Sequence, residues 1–223
     1  MSDDRPSGEK EIALEARAAE ADRLFSPSAA RNRDVIRDAF LRLAPADGDV
    51  LEIGSGTGEH AVRIAAARPG GLWRPGDPDA ASRRSIAAWT AHLGLTNVAR
   101  PHAVDATRDD WGAEERTGAY AAIVSINMIH IAPFAAARGV FAGAGRLLRP
   151  DGRLFLYGPF SRDGVHTAPS NVDFDASLKS RDPDWGVRDL ERDLAPLADA
   201  AGLDLAEIIE MPANNLSVAF ARR

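Results

Sequence analysis

The sequence predicts an α/β protein: a mostly parallel sheet, covered by helices on both faces and finished by an antiparallel hairpin. Three observations carry this. Strand-like apolar runs alternate with helical periods along most of the 223 residues, the order that yields parallel strands joined by crossover helices. The run at 50–60, "VLEIGSGTGEH", passes from a strand pattern through a glycine-rich turn into a helix. The last two strand-like runs, "LDLAEIIEM" and "LSVAFAR", are separated by only "PANN", a link too short for anything but antiparallel neighbours.

The elements follow in order. Residues 9–24 are alanine-rich and heavily charged, a composition that suits a solvated helix behind a disordered start, so residues 1–22 read as an N-terminal segment outside a single domain at 23–223. In "FSPSAARNRDVIRDAFLRLAP" Ser26 is a candidate N-cap and Pro27 a first helical residue. Val35, Ile36, Ala39, Phe40 and Leu43 form the apolar stripe of that helix. "DVLEIG" reads as a buried strand, "GEHAVRIAAARP" as a helix, "LWRPGD" as a weak strand and "DAASRRSIAAWTAHLG" as a helix. "VARPHAVDA" and "YAAIVSINMIHI" read as strands, "FAAARGVFAGAGRLLRPDG" as a helix closed by a turn, and "RLFLYGPF" as a strand. With the hairpin, that makes seven strands. Residues 159–186 show no sustained period, and so long a structureless stretch in a compact domain reads as a lid; "NVDFD" and Trp185 within it favour that role. "VRDLERDLAPLADAAG" is the final helix.

Composition narrows the function classes. A formal net charge of -6 disfavours a general polyanion binder, and nucleic acid is not an expected partner. The chain has no cysteine, which removes disulfides, thiolate metal sites and thiolate nucleophiles. Neither a signal-peptide core nor an apolar run of about 18 residues is present. The expectation is a cytoplasmic protein with no membrane span.

Three glycines beside a strand need a reason, because each destabilises an element interior by roughly 0.5–1 kcal/mol relative to alanine. A glycine turn that opens a helix lets a ligand approach the backbone where helix N–H groups are unpaired. Dinucleotide folds use G-x-G-x-x-G for this. Here Gly54 and Gly56 fit, but the next position holds Glu59, a poor neighbour for a pyrophosphate.

The spacing of Glu52, Gly54, Gly56 and Gly58 instead resembles the E/D-x-G-x-G-x-G signature of the Rossmann-like, class I S-adenosylmethionine-dependent methyltransferases. The resemblance implies a three-layer α/β/α sandwich with S-adenosyl-L-methionine as cofactor. It makes Asp77 the acid that accepts both ribose hydroxyls and Asp105 the acid that binds the adenine amino group. It also brings Ser55, Ala106, His60, Asn127 and Arg31 to the cofactor. Each has a plainer reading. Asp77 would serve as a helix N-cap, Asp105 as a turn residue, His60 as a solvated helix-start residue, and Arg31 and Asn32 as surface.

Further strings carry a closer likeness. "SPSAARN", "LEIGSGTGEH", "WRPGD", "INMIHI", "YGPF", "SNVDFD", "DPDWGVRD" and "MPANN", in this order, resemble a small family long filed as a domain of unknown function, which includes methyltransferase-like twenty-six. Gly76 departs from it, where serine is expected. The family's substrate is poorly defined.

On the acceptor side, Asn127, Met128 and His130 follow the strand expected beside the transferable methyl group, and Tyr157 ends the next strand. His130, Asn127 and Tyr157 are therefore the candidate catalytic residues. His130 would orient or deprotonate the acceptor, or be a structural histidine, and Asn171 would close the cavity. Asp173, Asn214 and Asn215 are weaker candidates. "SINMIH" lacks the N/D-P-P-Y/F signature of planar-amine methylation, the missing cysteine excludes attack on pyrimidine carbon five, and asparagine at 127 disfavours the metal-dependent catechol type, so no metal is expected. What is left is methyl transfer to an oxygen, nitrogen or sulfur of a small or medium-sized acceptor. A non-catalytic adenosylmethionine-binding protein and an NAD(P)-dependent oxidoreductase are the alternatives.

Overall fold

The computed structural model describes residues 16–223; the expectation for residues 1–15 lies outside the described residues. In chain order the elements are β1 (Ala18–Glu20), β2 (Arg23–Phe25), α1 (Pro27–Leu43), β3 (Asp49–Ile53), α2 (Glu59–Ala67), β4 (Trp73–Gly76), α3 (Ala80–His92), β5 (Tyr120–Ile126), α4 (Phe134–Leu147), β6 (Leu148–Gly158), β7 (Ser161–Arg162), β8 (Val165–His166), α5 (Pro169–Arg181), α6 (Ala195–Ala200), β9 (Leu203–Met211) and β10 (Asn215–Arg222).

A mixed six-stranded sheet runs β4-β3-β5-β6-β10-β9. The pairs β3–β4, β3–β5 and β5–β6 are parallel, while β10 is antiparallel to both β6 and β9. Side chains alternate across it. Ala122, Val124, Phe155 and Tyr157 face a core shared with Ile36, Phe40 and Ile64 of α1 and α2. Ile123, Leu154, Leu156 and Val218 face a second core with Phe141, Leu147 and Leu194. Phe40 anchors the first, edge-on to Trp73 and to Phe155 at 5.4 Å each; truncating such a buried ring costs about 3–5 kcal/mol. Helix α1 starts as its sequence dictates, with the Ser26 hydroxyl accepting from the Ala29 amide at 3.3 Å.

The seventh expected strand, "VARPHAVDA", is not built. Its segment follows β4 only through isolated bridges Trp73↔Val98 and Gly76↔His102. Pro75 and Pro101 explain this: neither has an N–H to give the ladder. The fifth strand stops at Ile126 rather than running to Ile131, because Asn127 at φ 60° turns the chain into a 3₁₀ turn, Met128–His130.

Two more expectations are corrected. Where residues 9–24 read as a helix, Ala18–Phe25 forms a hairpin about Ala21, whose φ is 52°. Tertiary anchors override the alanine propensity here: Trp89 Nε1 donates to the Leu24 carbonyl at 3.0 Å and the Leu24 amide donates to Ser85 Oγ at 2.8 Å. Residues 159–186 are also not structureless, since they hold the β7–β8 hairpin and α5. The helical period of α5 is hidden because it buries only Asn171, Asp175 and Leu178, two of them polar. The final helix opens as a wide π turn, Leu190–Leu194, before α6; Pro196 cannot donate to the carbonyl one turn back. No helix among the described residues is long and apolar enough to cross a membrane.

Candidate functional site

The loop after β3 lies where the strand order reverses, between β4 on one side and β5 on the other, the position at which open α/β sheets form a crevice. Gly54, Gly56 and Gly58 have φ of 73°, 56° and 88°, values that cost other L residues about 1–2 kcal/mol. Each has a separate spatial reason. A Cβ on Gly54 would lie 2.5 Å from Met128 Cγ, and one on Gly58 would lie 2.9 Å from the Ile86 backbone of α3. Among the described residues a Cβ on Gly56 would meet only Arg17 Nη2, at 3.9 Å. Gly56 is thus an open crest among the described residues.

Asp77 closes the loop from β4. Its Oδ2 accepts the Gly56 amide at 2.8 Å and its Oδ1 the Asp79 amide at 2.9 Å. The plainer reading of Asp77 fails, because the cap of α3 is Asp79, which accepts from the Ser82 amide at 2.6 Å. Burial pushes the Asp77 carboxyl above its usual range, against the lowering by the Gly56 and Asp79 amides and by Arg17. Two acceptor positions on the carboxylate are left for other donors. The cradle fits a ligand with neighbouring hydroxyls, and the residues present suit the ribose of adenosylmethionine.

Glu52 lies beneath this loop. It is 1% exposed, accepts the Trp73 indole N–H at 2.9 Å, and burial pushes its carboxyl to about 7, with Asp77 adding to the rise. Its side chain supports the floor of the loop. Ser55 is buried, its amide donating to the Gly76 carbonyl at 3.1 Å. Glu59, the residue at odds with a pyrophosphate, is 2% exposed and fastens α1 to α2. It accepts the Ser26 amide at 2.7 Å and the Thr57 hydroxyl at 3.1 Å, and faces Arg33 at 3.4 Å.

Asp105 sits in a turn where its Oδ1 accepts the Thr107 amide and hydroxyl at 2.9 and 2.7 Å. Ala106 is buried, its carbonyl pressed so close to α4 that a Cβ on Gly139 would come within 1.7 Å. Arg31 is exposed, and Asn32 beside it is the residue that reaches inward. Asn32 Oδ1 lies 2.9 Å from His60 Nε2, and its side chain also neighbours the Tyr157 hydroxyl. Burial and the nearby Arg33 hold His60 down to about 4, so the ring is neutral. Burial likewise raises the Tyr157 phenol, which stays protonated.

Asn127 and Tyr157 are tied through the backbone, the Asn127 amide donating to the Tyr157 carbonyl at 2.8 Å. His130 is 1% exposed, packed 4.9 Å edge-on to Phe160. Burial, reinforced by Arg188, holds its ring down to about 3. Its Nδ1 accepts the Arg188 amide at 3.3 Å, which puts the ring proton on Nε2. That Nε2 is buried without a hydrogen-bond partner among the described residues, facing Gly158, where a Cβ would come within 2.3 Å. A ring in this state carries a proton on Nε2 and takes none there.

The segment at 159–186 is tied down at several points, among them Ser161 to Asp189, Asp175 to the Val187 amide and Ser170 to Asn214. Asn171 Nδ2 donates to Thr167 Oγ1 and to the Asn214 carbonyl, both at 3.0 Å, joining α5 to the β9–β10 turn. Asn215 only braces that turn through the Pro212 and Ala213 carbonyls, Asp173 is exposed, and Trp185 is buried. Asn32 and Arg188 were not among the expected site residues. An asparagine one step from Arg31 on a helix carries no periodic signal, and Arg188 acts through its backbone amide.

Comparison with solved structures gives the same architecture. A putative O-methyltransferase from Nostoc punctiforme PCC 73102 superposes with a TM-score of 0.73 at 14% identity, over 88% of this chain and 57% of that one. An O-methyltransferase family protein from Burkholderia thailandensis gives 0.71 at 16%, over 88% and 56%. Geranyl diphosphate C-methyltransferase from Streptomyces coelicolor A3(2) gives 0.66 at 13%, over 87% and 80%. The chain spans little more than half the length of the two O-methyltransferases. At these identities the likeness is one of fold, that of the class I S-adenosylmethionine-dependent methyltransferases. Residues 23–222 match the family described as "Protein of unknown function (DUF938)", and the chain belongs to that family.

Proposed function

We propose that this DUF938 protein is an S-adenosylmethionine-dependent methyltransferase that methylates an oxygen, nitrogen or sulfur of a small or medium-sized acceptor. One observation carries the reading: the open crest at Gly56 is hydrogen-bonded to Asp77 at a strand-order reversal. Gly54, Gly56 and Gly58 would carry the cofactor, Asp77 would accept its ribose hydroxyls, and Glu52 and Ser55 would hold the loop's shape. Asp105 and Ala106 would border the adenine. When bound, adenosylmethionine supplies an electrophilic methyl group on a sulfonium sulfur.

The acceptor would lie among Asn127, His130, Tyr157, Asn32 and His60. These offer amides, a phenol and neutral imidazoles, with His130 turned as a donor. Such a rim orients a polar acceptor and aligns it, which by itself is a large part of catalysis for in-line transfer. It suits an acceptor atom that already carries a free lone pair at neutral pH. The same rim keeps a second reading in play, a cofactor-binding protein without turnover, because a donor imidazole is not a base.

Calorimetric titration with adenosylmethionine and with NAD tests the first step, and the reading requires binding of the former only. Methyl transfer to components of a metabolite pool separates the enzyme from the binding protein.

A further inference from the structure

The N-terminal hairpin reaches the glycine loop. Ala18 pairs with Phe25, so Arg17 lies one position beyond the pair, beside Ser26, whose amide is fixed on Glu59 immediately after Gly58. Arg17 is half-buried while Ala16, Ala18, Ala19 and Glu20 around it are exposed. Its guanidinium is what a side chain on Gly56 would meet, at 3.9 Å. The hairpin is fastened at its far strand, through Leu24 to Ser85 and Trp89 and through the Phe25–Trp89 ring contact at 4.9 Å. Beneath it a cavity of about 420 Å³ opens between Phe25, Pro27, Arg33 and Trp89. Ala16 and Ala18 line that cavity, so Arg17, between them, sits at its rim just before the near strand.

Charge gives Arg17 a task. Asp77 is buried and has acidic neighbours in Asp79 and Glu52. Arg83, the cation on its own side of the sheet, is engaged with the Asp77 and Pro78 carbonyls at 2.8 and 2.6 Å. Arg17 is the cation that faces the carboxylate from the open side.

We infer that Arg17 is a cofactor-positioning residue, carried by an N-terminal strap that lies over Gly56 and sets a positive charge beside Asp77, the acceptor for the two ribose hydroxyls. This rests on the adenosylmethionine reading above. Only an ionised carboxylate accepts from both hydroxyls while keeping its two backbone amides. Asp77 is faced by Arg17 from the strap, Asp79 and Arg83 from the loop and start of α3, and Glu52 from β3; of the two cations Arg83 is engaged with backbone carbonyls, so removing Arg17 takes away the one turned to the carboxylate.

The test uses the full chain and adenosylmethionine as probe, with affinity measured from pH 5 to 8 beside the melting temperature. Arg17→Ala is expected to weaken binding about tenfold, and to move the loss of affinity on acidification to higher pH, without lowering the melting temperature. Arg17→Lys, which keeps the charge, is expected to stay within about threefold of wild type. Unchanged affinity and pH profile in Arg17→Ala overturn the inference, and tighter binding overturns it in favour of a strap that blocks the site. A wild-type chain that binds no adenosylmethionine overturns the functional reading itself. Binding that is lost in Asp77→Ala but not in Arg17→Ala leaves that reading standing and removes only the role of Arg17.

Discussion

The amide of Gly56 and the carboxylate of Asp77 meet at 2.8 Å, joining the turn after one strand to the end of the next. Neither residue is near the other in sequence, and their contact makes a rigid acceptor at the mouth of the sheet.

If that acceptor holds a ribose, Asp77→Ala loses two charge-assisted hydrogen bonds of about 1.5–3 kcal/mol each. At least a tenfold weaker affinity for adenosylmethionine is expected by calorimetry. Gly56→Val, with a branched side chain at a left-handed φ on the open crest, is expected to abolish binding. Wild-type affinity in the Asp77 variant contradicts the assignment.

Glu52 makes stability depend on pH. Its folded value of about 7 stands above the ordinary 4.5. The stability linked to its protonated form is therefore complete below the unfolded value and is lost as pH rises through about 7. Glu52→Gln keeps an acceptor for Trp73 and cannot ionise. The difference in melting temperature, variant minus wild type, is expected to be larger at pH 8 than at pH 5. An equal difference at both would show that Glu52 is already ionised in the fold at acid pH.

His130, held down to about 3 with Nδ1 occupied, should not appear in the pH–rate profile near 6.5. Once an acceptor is identified, His130→Asn, which retains a donor, is expected to lose no more than about tenfold in turnover. A general base would cost about 10²–10⁴-fold. A loss of that size, together with a missing acid limb in the variant's profile, would return His130 to the role of base.

The segment at 159–186 meets the β9–β10 turn through Asn171 and Ser170. Asn171→Ala removes the donor to the carbonyl of the exposed Asn214, a loss of about 0.5–1.5 kcal/mol. Faster limited proteolysis between β8 and α5 is expected, and S-adenosylhomocysteine is expected to slow cleavage in wild type. Cleavage rates unaffected by either change would mean that the segment does not move.

The layers of the fold were legible because they depend on period: α1 shows its stripe at Ile36, Ala39, Phe40 and Leu43, and β5 its continuous burial. The glycine loop was legible because three costly residues at fixed spacing have few explanations. Pairings made through space left no such trace. The hairpin at Ala18–Phe25 is chosen by Trp89 and Ser85 over sixty residues away, and α5 buries asparagine and aspartate where periodicity looks for apolar residues. His130 was expected to orient or deprotonate an acceptor because an isolated imidazole titrates near neutrality; its burial and its contact with the Arg188 amide leave no side-chain pattern in the sequence.

The prolines that dissolve the seventh strand also bear on how copies of this protein meet. A regular outermost strand presents a row of unpaired donors and acceptors to any extended chain. Beyond β4 that row is interrupted at Pro75 and again at Pro101, so a visiting strand finds no continuous ladder. The opposite border, β9, is nine residues long, but its register with β10 slips between Leu205 and Glu207, a bulge that breaks the edge at Ala206. One margin of the sheet is guarded by missing hydrogens and the other by a bulge, two independent protections against edge-to-edge aggregation.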